Sequence, residues 1–158
     1  MFRLVAVSFL SAALFASAAT SGHADSLIVA GQRVGPIRIG MTATELYKAM
    51  GDPTSTYETN SGLTIYSYGD ADALTAQCWD GRVRTVGVSS SEYKTAQGVR
   101  VGDSQLALLA KMGQPASRKP GPRRTDGKAF FFYLYRGIVF NVEGGIVTSM
   151  SVDPNSGR

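Results

Sequence analysis

The chain has 158 residues, 44% of them hydrophobic, and a formal net charge of +4. That length suits one domain of ordinary size with its own core. One cysteine and one histidine exclude an internal disulfide, a zinc-ligand spacing and a histidine-assisted nucleophile in the folded part.

Residues 1–24 read as a signal peptide. Arg3 gives a short positive start, and the apolar run from Leu4 to Ala19 is shorter than the ~20 residues of a membrane span. Ala16-Ser17-Ala18 and Gly22-His23-Ala24 offer the small residues that a signal peptidase reads. Cleavage is expected after Ala24, which removes His23. No cysteine stands at the new terminus, so the exported chain is expected to be a periplasmic or secreted protein without a lipid anchor or stable membrane insertion.

Leu27 to Ala30 reads as an edge strand. Thr42-Ala43-Thr44-Glu45 has the form of a capping box, in which Thr42 accepts from the first turn while Glu45 reaches back. A helix from Ala43 to Met50 follows, with Ala43, Leu46, Tyr47 and Met50 on one side. Gly51 and Pro53 stop it. Three strand-like segments come next: Leu63 to Tyr68, Leu74 to Trp79 and Arg82 to Ser89, with a tight turn at Asp80-Gly81. Asp70 and Asp72 sit at a hairpin tip, where ordinary turn chemistry explains them better than calcium binding. Ser90 to Gln97 forms a connector.

The order then repeats. Ile39-Gly40-Met41-Thr42 … Met50-Gly51-Asp52-Pro53 is matched sixty-two positions later by Val101-Gly102-Asp103-Ser104 … Met112-Gly113-Gln114-Pro115. The second helix is expected over Gln105 to Met112, with Leu106, Leu109 and Met112 aligned. The strands Phe130 to Tyr135, Ile138 to Glu143 and Ile146 to Val152 follow, the last two joined at Gly144-Gly145. A long period with one internal order predicts two tandem copies of a helix plus an antiparallel meander. The expected fold is α+β, with both helices on one face of the sheet. The first repeat spans 25–98 and the second 99–158, folded as one compact domain. Leu46, Met50, Leu109, Met112, Phe132, Phe140 and Val142 should be buried, with Cys78 beside them.

The Ile-Gly-Met-Thr … Met-Gly-Asp-Pro pattern followed by a meander resembles two groups of exported bacterial proteins. One is the SmpA/OmlA group of envelope lipoproteins, which includes BamE; the other is the beta-lactamase inhibitory proteins, built as a tandem pair of helix-plus-sheet units. The resemblance covers Ile39 to Val88 and Val101 to Val152, and it implies action by protein–protein contact, not catalysis. The chain departs from the first group in lacking a lipidated cysteine and from the second in lacking disulfides.

Two surface features are candidates for function. If the helices cover the face bearing Leu63, Ile65, Phe130, Phe132 and Leu134, then Tyr66, Tyr68, Trp79, Phe131, Tyr133 and Tyr135 form an aromatic face for a protein partner. The segment 117–128 reads as a basic loop, in which Arg118, Lys119, Arg123, Arg124 and Lys128 would meet anionic lipid headgroups or glycans. The expected role is a non-catalytic module of the cell envelope that binds another envelope or secreted protein through the aromatic face. An anionic-envelope binder and an inhibitor of a periplasmic or secreted enzyme are the alternatives. No cofactor, metal or catalytic residue is expected, and no nucleic-acid recognition motif is present.

Overall fold

The computed structural model describes residues 25–122 and 125–158. The expected signal peptide and Arg123-Arg124 lie outside the described residues. The fold is α+β: a large antiparallel sheet, a small second sheet and two short helices.

The small sheet comprises β1 (Leu27–Val29), β2 (Arg33–Val34), β3 (Ile37–Arg38) and β8 (Lys94–Thr95), in the order β3-β2-β1-β8. β1 runs parallel to β8, drawn from the expected connector. The expectation of an N-terminal edge strand is thus corrected: β1 belongs to a separate sheet. It docks on the large one through the Gly31 N–H, which donates to the Gly137 carbonyl at 2.7 Å.

The large sheet has eight strands. They are β4 (Ser55–Glu58), β5 (Leu63–Tyr68), β6 (Leu74–Trp79), β7 (Arg82–Val88), β9 (Ser117–Pro120), β10 (Phe130–Tyr135), β11 (Ile138–Glu143) and β12 (Ile146–Val152). The order β4-β5-β6-β7-β12-β11-β10-β9 places the two halves side by side. Each half has four strands where three were expected. The additions are the outermost strands, β4 and β9, and β9 occupies the start of what reads in sequence as a basic loop. β7 and β12 meet over three residue pairs, Val86↔Val152, Gly87↔Ser151 and Val88↔Met150.

α1 (Ala43–Met50) starts at the Thr42–Glu45 capping box, and α2 (Gln105–Met112) at Ser104, whose side chain accepts from the Ala107 N–H. Gly51 and Gly113 end them with φ of 77° and 76°, a backbone region open to glycine at little cost. Leu46 and Leu108 are the fully buried helical residues and join the central core. The expected alignment of Leu106 with Leu109 and Met112 is corrected, because Leu106 is 78% exposed.

That core contains Leu74, Ala76, Cys78, Val83, Val86 and Val88 from the first half. Ile138, Phe140, Val142, Val147, Met150 and Val152 come from the second, and Ile28, Val34 and Ile37 from the small sheet. Met50, Leu109 and Met112 are partly buried against it. Phe132 is absent from the core, contrary to expectation. Its partner across the ladder is Asn141, so it shares that residue's face, opposite to the one bearing Phe140.

Candidate functional site

Strand register decides which face is available. Residues directly opposite in an antiparallel ladder share a face. Tyr68 pairs with Leu74, Tyr66 with Ala76, Tyr135 with Ile138, Tyr133 with Phe140 and Phe131 with Val142. All five aromatics therefore lie on the core side. Tyr133 is 2% exposed, Tyr68 6% and Tyr135 8%, while Tyr66 and Phe131 pack partly buried against the core.

Both helices touch this side. The Tyr47 ring of α1 meets Tyr66 edge-on, with centroids 5.7 Å apart. The Tyr135 hydroxyl donates to the Gly113 carbonyl at the end of α2, at 2.8 Å. The expected aromatic face is corrected accordingly: five of its six members point to the core side, three of them buried and Tyr66 and Phe131 partly so.

Trp79 is the exception. It pairs with Leu63, on the opposite face, and is 47% exposed. Around it lie Leu63 and Ile65, both half-buried, and Tyr57, 65% exposed and opposite Ile65. The second half contributes Phe130, Phe132, Leu134 and Val139 to the same face, all half-buried. The Phe130 and Phe132 rings pack against each other at 4.8 Å.

Between these apolar flanks runs a polar floor of small side chains: Thr75, Gln77, Thr85, Ser149, Ser151 and Asn141. They line a depression of about 290 Å³, and the Asn141 amide donates to Ser149 Oγ at 2.7 Å. Gly87 stands at its centre, and a Cβ there would fall 2.6 Å from Thr75 Oγ1. Beside Trp79, Leu63 and Gln77 lies a wider depression of about 520 Å³, which reaches Arg84 and Pro154.

The five expected anion-binding cations do not form one group. Arg118, on β9, lays its guanidinium 3.5 Å above the Phe131 ring and 5.4 Å from that of Tyr133, so its charge caps the edge of the core. Lys119 is exposed and falls on the open face, opposite Phe132. Lys128 is exposed in the following turn, and its N–H donates to Asp126 Oδ1. Arg123 and Arg124 lie outside the described residues.

Cys78 is buried in the core, and burial pushes its thiol pKa up. Among the described residues no group of three or more His, Cys, Asp or Glu side chains gathers to hold a metal. No helix among them is long and apolar enough to cross a membrane.

No family profile matches the chain, and no curated protein sequence is significantly similar to it. Solved structures share its fold at low identity. YfeY of Escherichia coli, an uncharacterized protein, superposes with a TM-score of 0.55 at 14% identity, over 79% of this chain and 98% of YfeY. An extracellular SCP-domain protein of Bacillus anthracis gives a TM-score of 0.52 at 12% identity; the match covers 74% of this chain and 44% of that one. YjgB of Bacillus subtilis, a DUF4309 family protein, gives 0.51 at 11% identity, over 78% and 87% of the two chains. What these likenesses establish is an α+β fold with a large antiparallel sheet, found also in small bacterial proteins and in part of a larger extracellular one.

Proposed function

We propose that this chain is a non-catalytic, exported protein-binding module that engages its partner with the open face of the large sheet. The observation that carries the reading is the arrangement of that face: one apolar flank from each half, with a polar floor between. Large amphipathic side chains such as Trp79 and Tyr57 give contact area with little ordering cost, and surface apolar patches of this kind mark interaction sites. The rigid sheet holds the flanks at a fixed spacing, which favours a partner with a ridge or loop that fits the floor. A periplasmic or secreted enzyme is one such partner, and inhibition would follow where the ridge carries its active site.

The two halves are read as copies of one unit. The Gly40 N–H donates to the Val83 carbonyl and the Gly102 N–H to the Val147 carbonyl. Bulges fall at Gln77/Cys78 and at Asn141/Val142. The glycines stand sixty-two residues apart, and the strand residues of both pairs stand sixty-four apart, the offset that the matched last strands of the two halves share. On this reading duplication supplied the second flank.

Photo-crosslinking tests the proposal. A crosslinker in place of Trp79 or Phe132 should trap the partner in envelope extract, and one in place of the exposed Leu106 should not. Adducts confined to Lys119 and Lys128, and lost at high ionic strength, would overturn it in favour of anion binding through the basic segment.

A further inference from the structure

A cavity of about 340 Å³ lies where the small sheet meets the core side of the large one. Its walls include Ile28 of β1, Tyr135 of β10 and Ile138 of β11, all buried, with Met112 of α2 half-buried beside them. Ala96 and Arg136 are exposed and stand at its rim. Protein interiors are close-packed, and a void against apolar walls forgoes the dispersion contacts that neighbours would supply. The volume falls at the lower end of the ~300–1,000 Å³ found for small-ligand sites.

Two unused donors line this cavity. Thr95, beside the rim residue Ala96, pairs with Ile28 in the parallel β1–β8 register and is 4% exposed. Its hydroxyl accepts from the Val99 N–H at 3.1 Å, and its own hydrogen has no acceptor among the described residues. The Arg136 guanidinium has neither an ion pair nor a hydrogen bond among them. The Tyr135 hydroxyl, by contrast, is already engaged at the Gly113 carbonyl. No acidic side chain lines the cavity. A buried donor without an acceptor is a cost, which an acceptor seated in the cavity would remove. The adjacent cation favours an acceptor that is charged, and it opposes a cationic ligand.

We propose that this cavity binds a single-chain fatty carboxylate, with the chain against Ile28, Met112 and Ile138 and the head on Arg136 and Thr95. Each part of the ligand answers one feature of the site. The apolar walls take the hydrocarbon. The small volume admits one chain and rejects a two-chain lipid. The head is ionised at neutral pH, and an arginine fork receives a carboxylate with two parallel hydrogen bonds. Ile28 belongs to the small sheet and Ile138 to the large one, so a chain touching both would brace the joint between them. The cavity lies on the core side and leaves the open face free. Its failure and the failure of the proposed function are therefore separate results.

The test is isothermal titration of the purified protein with decanoate at neutral pH, below its micellar range. Saturable one-to-one binding is expected, with 1-decanol bound at least tenfold more weakly and decyltrimethylammonium not bound. Arg136→Gln should weaken decanoate at least tenfold and leave 1-decanol unchanged. Ala96→Phe places a ring at the mouth from an exposed position and should abolish binding of both. Both variants alter exposed residues, so each should keep the native circular dichroism. Bound decanoate should also slow hydrogen exchange at Ile28. Absence of saturable binding overturns the proposal, as does binding that Ala96→Phe leaves intact. Equal affinity for decanoate and 1-decanol, or decanoate binding that Arg136→Gln leaves unchanged, overturns the assignment of a carboxylate head. Acetate or inorganic phosphate bound as tightly as decanoate would reduce the site to a simple anion contact and overturn the fatty chain.

Discussion

Tyr135 and Gly113 are joined by a hydrogen bond from the phenol to the carbonyl of the glycine that ends α2, at 2.8 Å. Tyr68 ends β5 on the same core side, yet its buried hydroxyl has no partner among the described residues. Opposite outcomes are expected on removing the two hydroxyls. Tyr135→Phe should lower stability by about 1 kcal/mol, and Tyr68→Phe should raise it by a similar amount, since an unpaired buried hydroxyl is a standing cost. Urea unfolding of both variants decides the point.

Alkaline pH should expose the burial of Tyr68. Burial, followed by the nearby Tyr47 and Cys78 groups, pushes the Tyr68 pKa up to about 12, from an ordinary 10.0. Between those values the unfolded chain has lost a proton that the folded one keeps, so stability is full below pH 10 and falls as pH rises toward 12. Tyr68→Phe should flatten that decline. Thermal melts across the range, compared with tyrosinate absorbance, measure it; an unchanged slope in the variant would count against the assignment.

The two sheet faces should respond differently to truncation. Tyr133→Ala removes a ring from the core and should cost about 3–5 kcal/mol. Trp79→Ala or Tyr57→Ala should change stability by less than ~1 kcal/mol, while weakening partner capture tenfold or more. Trp79 is the chain's single tryptophan. Its fluorescence should be quenched by acrylamide in the free protein and shielded in the complex.

Gly137 is the tightest joint between the sheets. Its φ is 81°, and a Cβ would fall 2.6 Å from the Gly31 nitrogen. Gly137→Ala should therefore break the Gly31 bond and loosen the small sheet before the large one. Hydrogen exchange should show lost protection at Ile28 and Val34 with the β6–β7 and β11–β12 amides unchanged.

Much of the fold was legible in the sequence because local signals agreed. The strands from Leu63, Leu74, Phe130, Ile138 and Ile146 begin and end where turn residues bracket them, and the capping residues mark both helices. β4 and β9 escaped because Ser-Thr-Tyr-Glu and Ser-Arg-Lys-Pro carry no apolar alternation; such edge strands are held by pairing alone. The face assignment failed for another reason. Phe130 to Tyr135 is apolar on both sides, so periodicity cannot choose between them. The neighbouring strand can: Ile138, Phe140 and Val142 contrast with Val139, Asn141 and Glu143, and the short Arg136-Gly137 turn fixes the pairing of Tyr135 with Ile138. The buried helical leucine was available likewise, since Leu108 stands sixty-two residues after Leu46.

The join between β7 and β12 is three residue pairs long, whereas β5–β6 and β10–β11 have six each. One of the three contains Gly87, which brings no side chain to stiffen it. The two halves therefore depend less on that ladder than on the core side chains they share across it, Val86 and Val88 from one and Met150 and Val152 from the other.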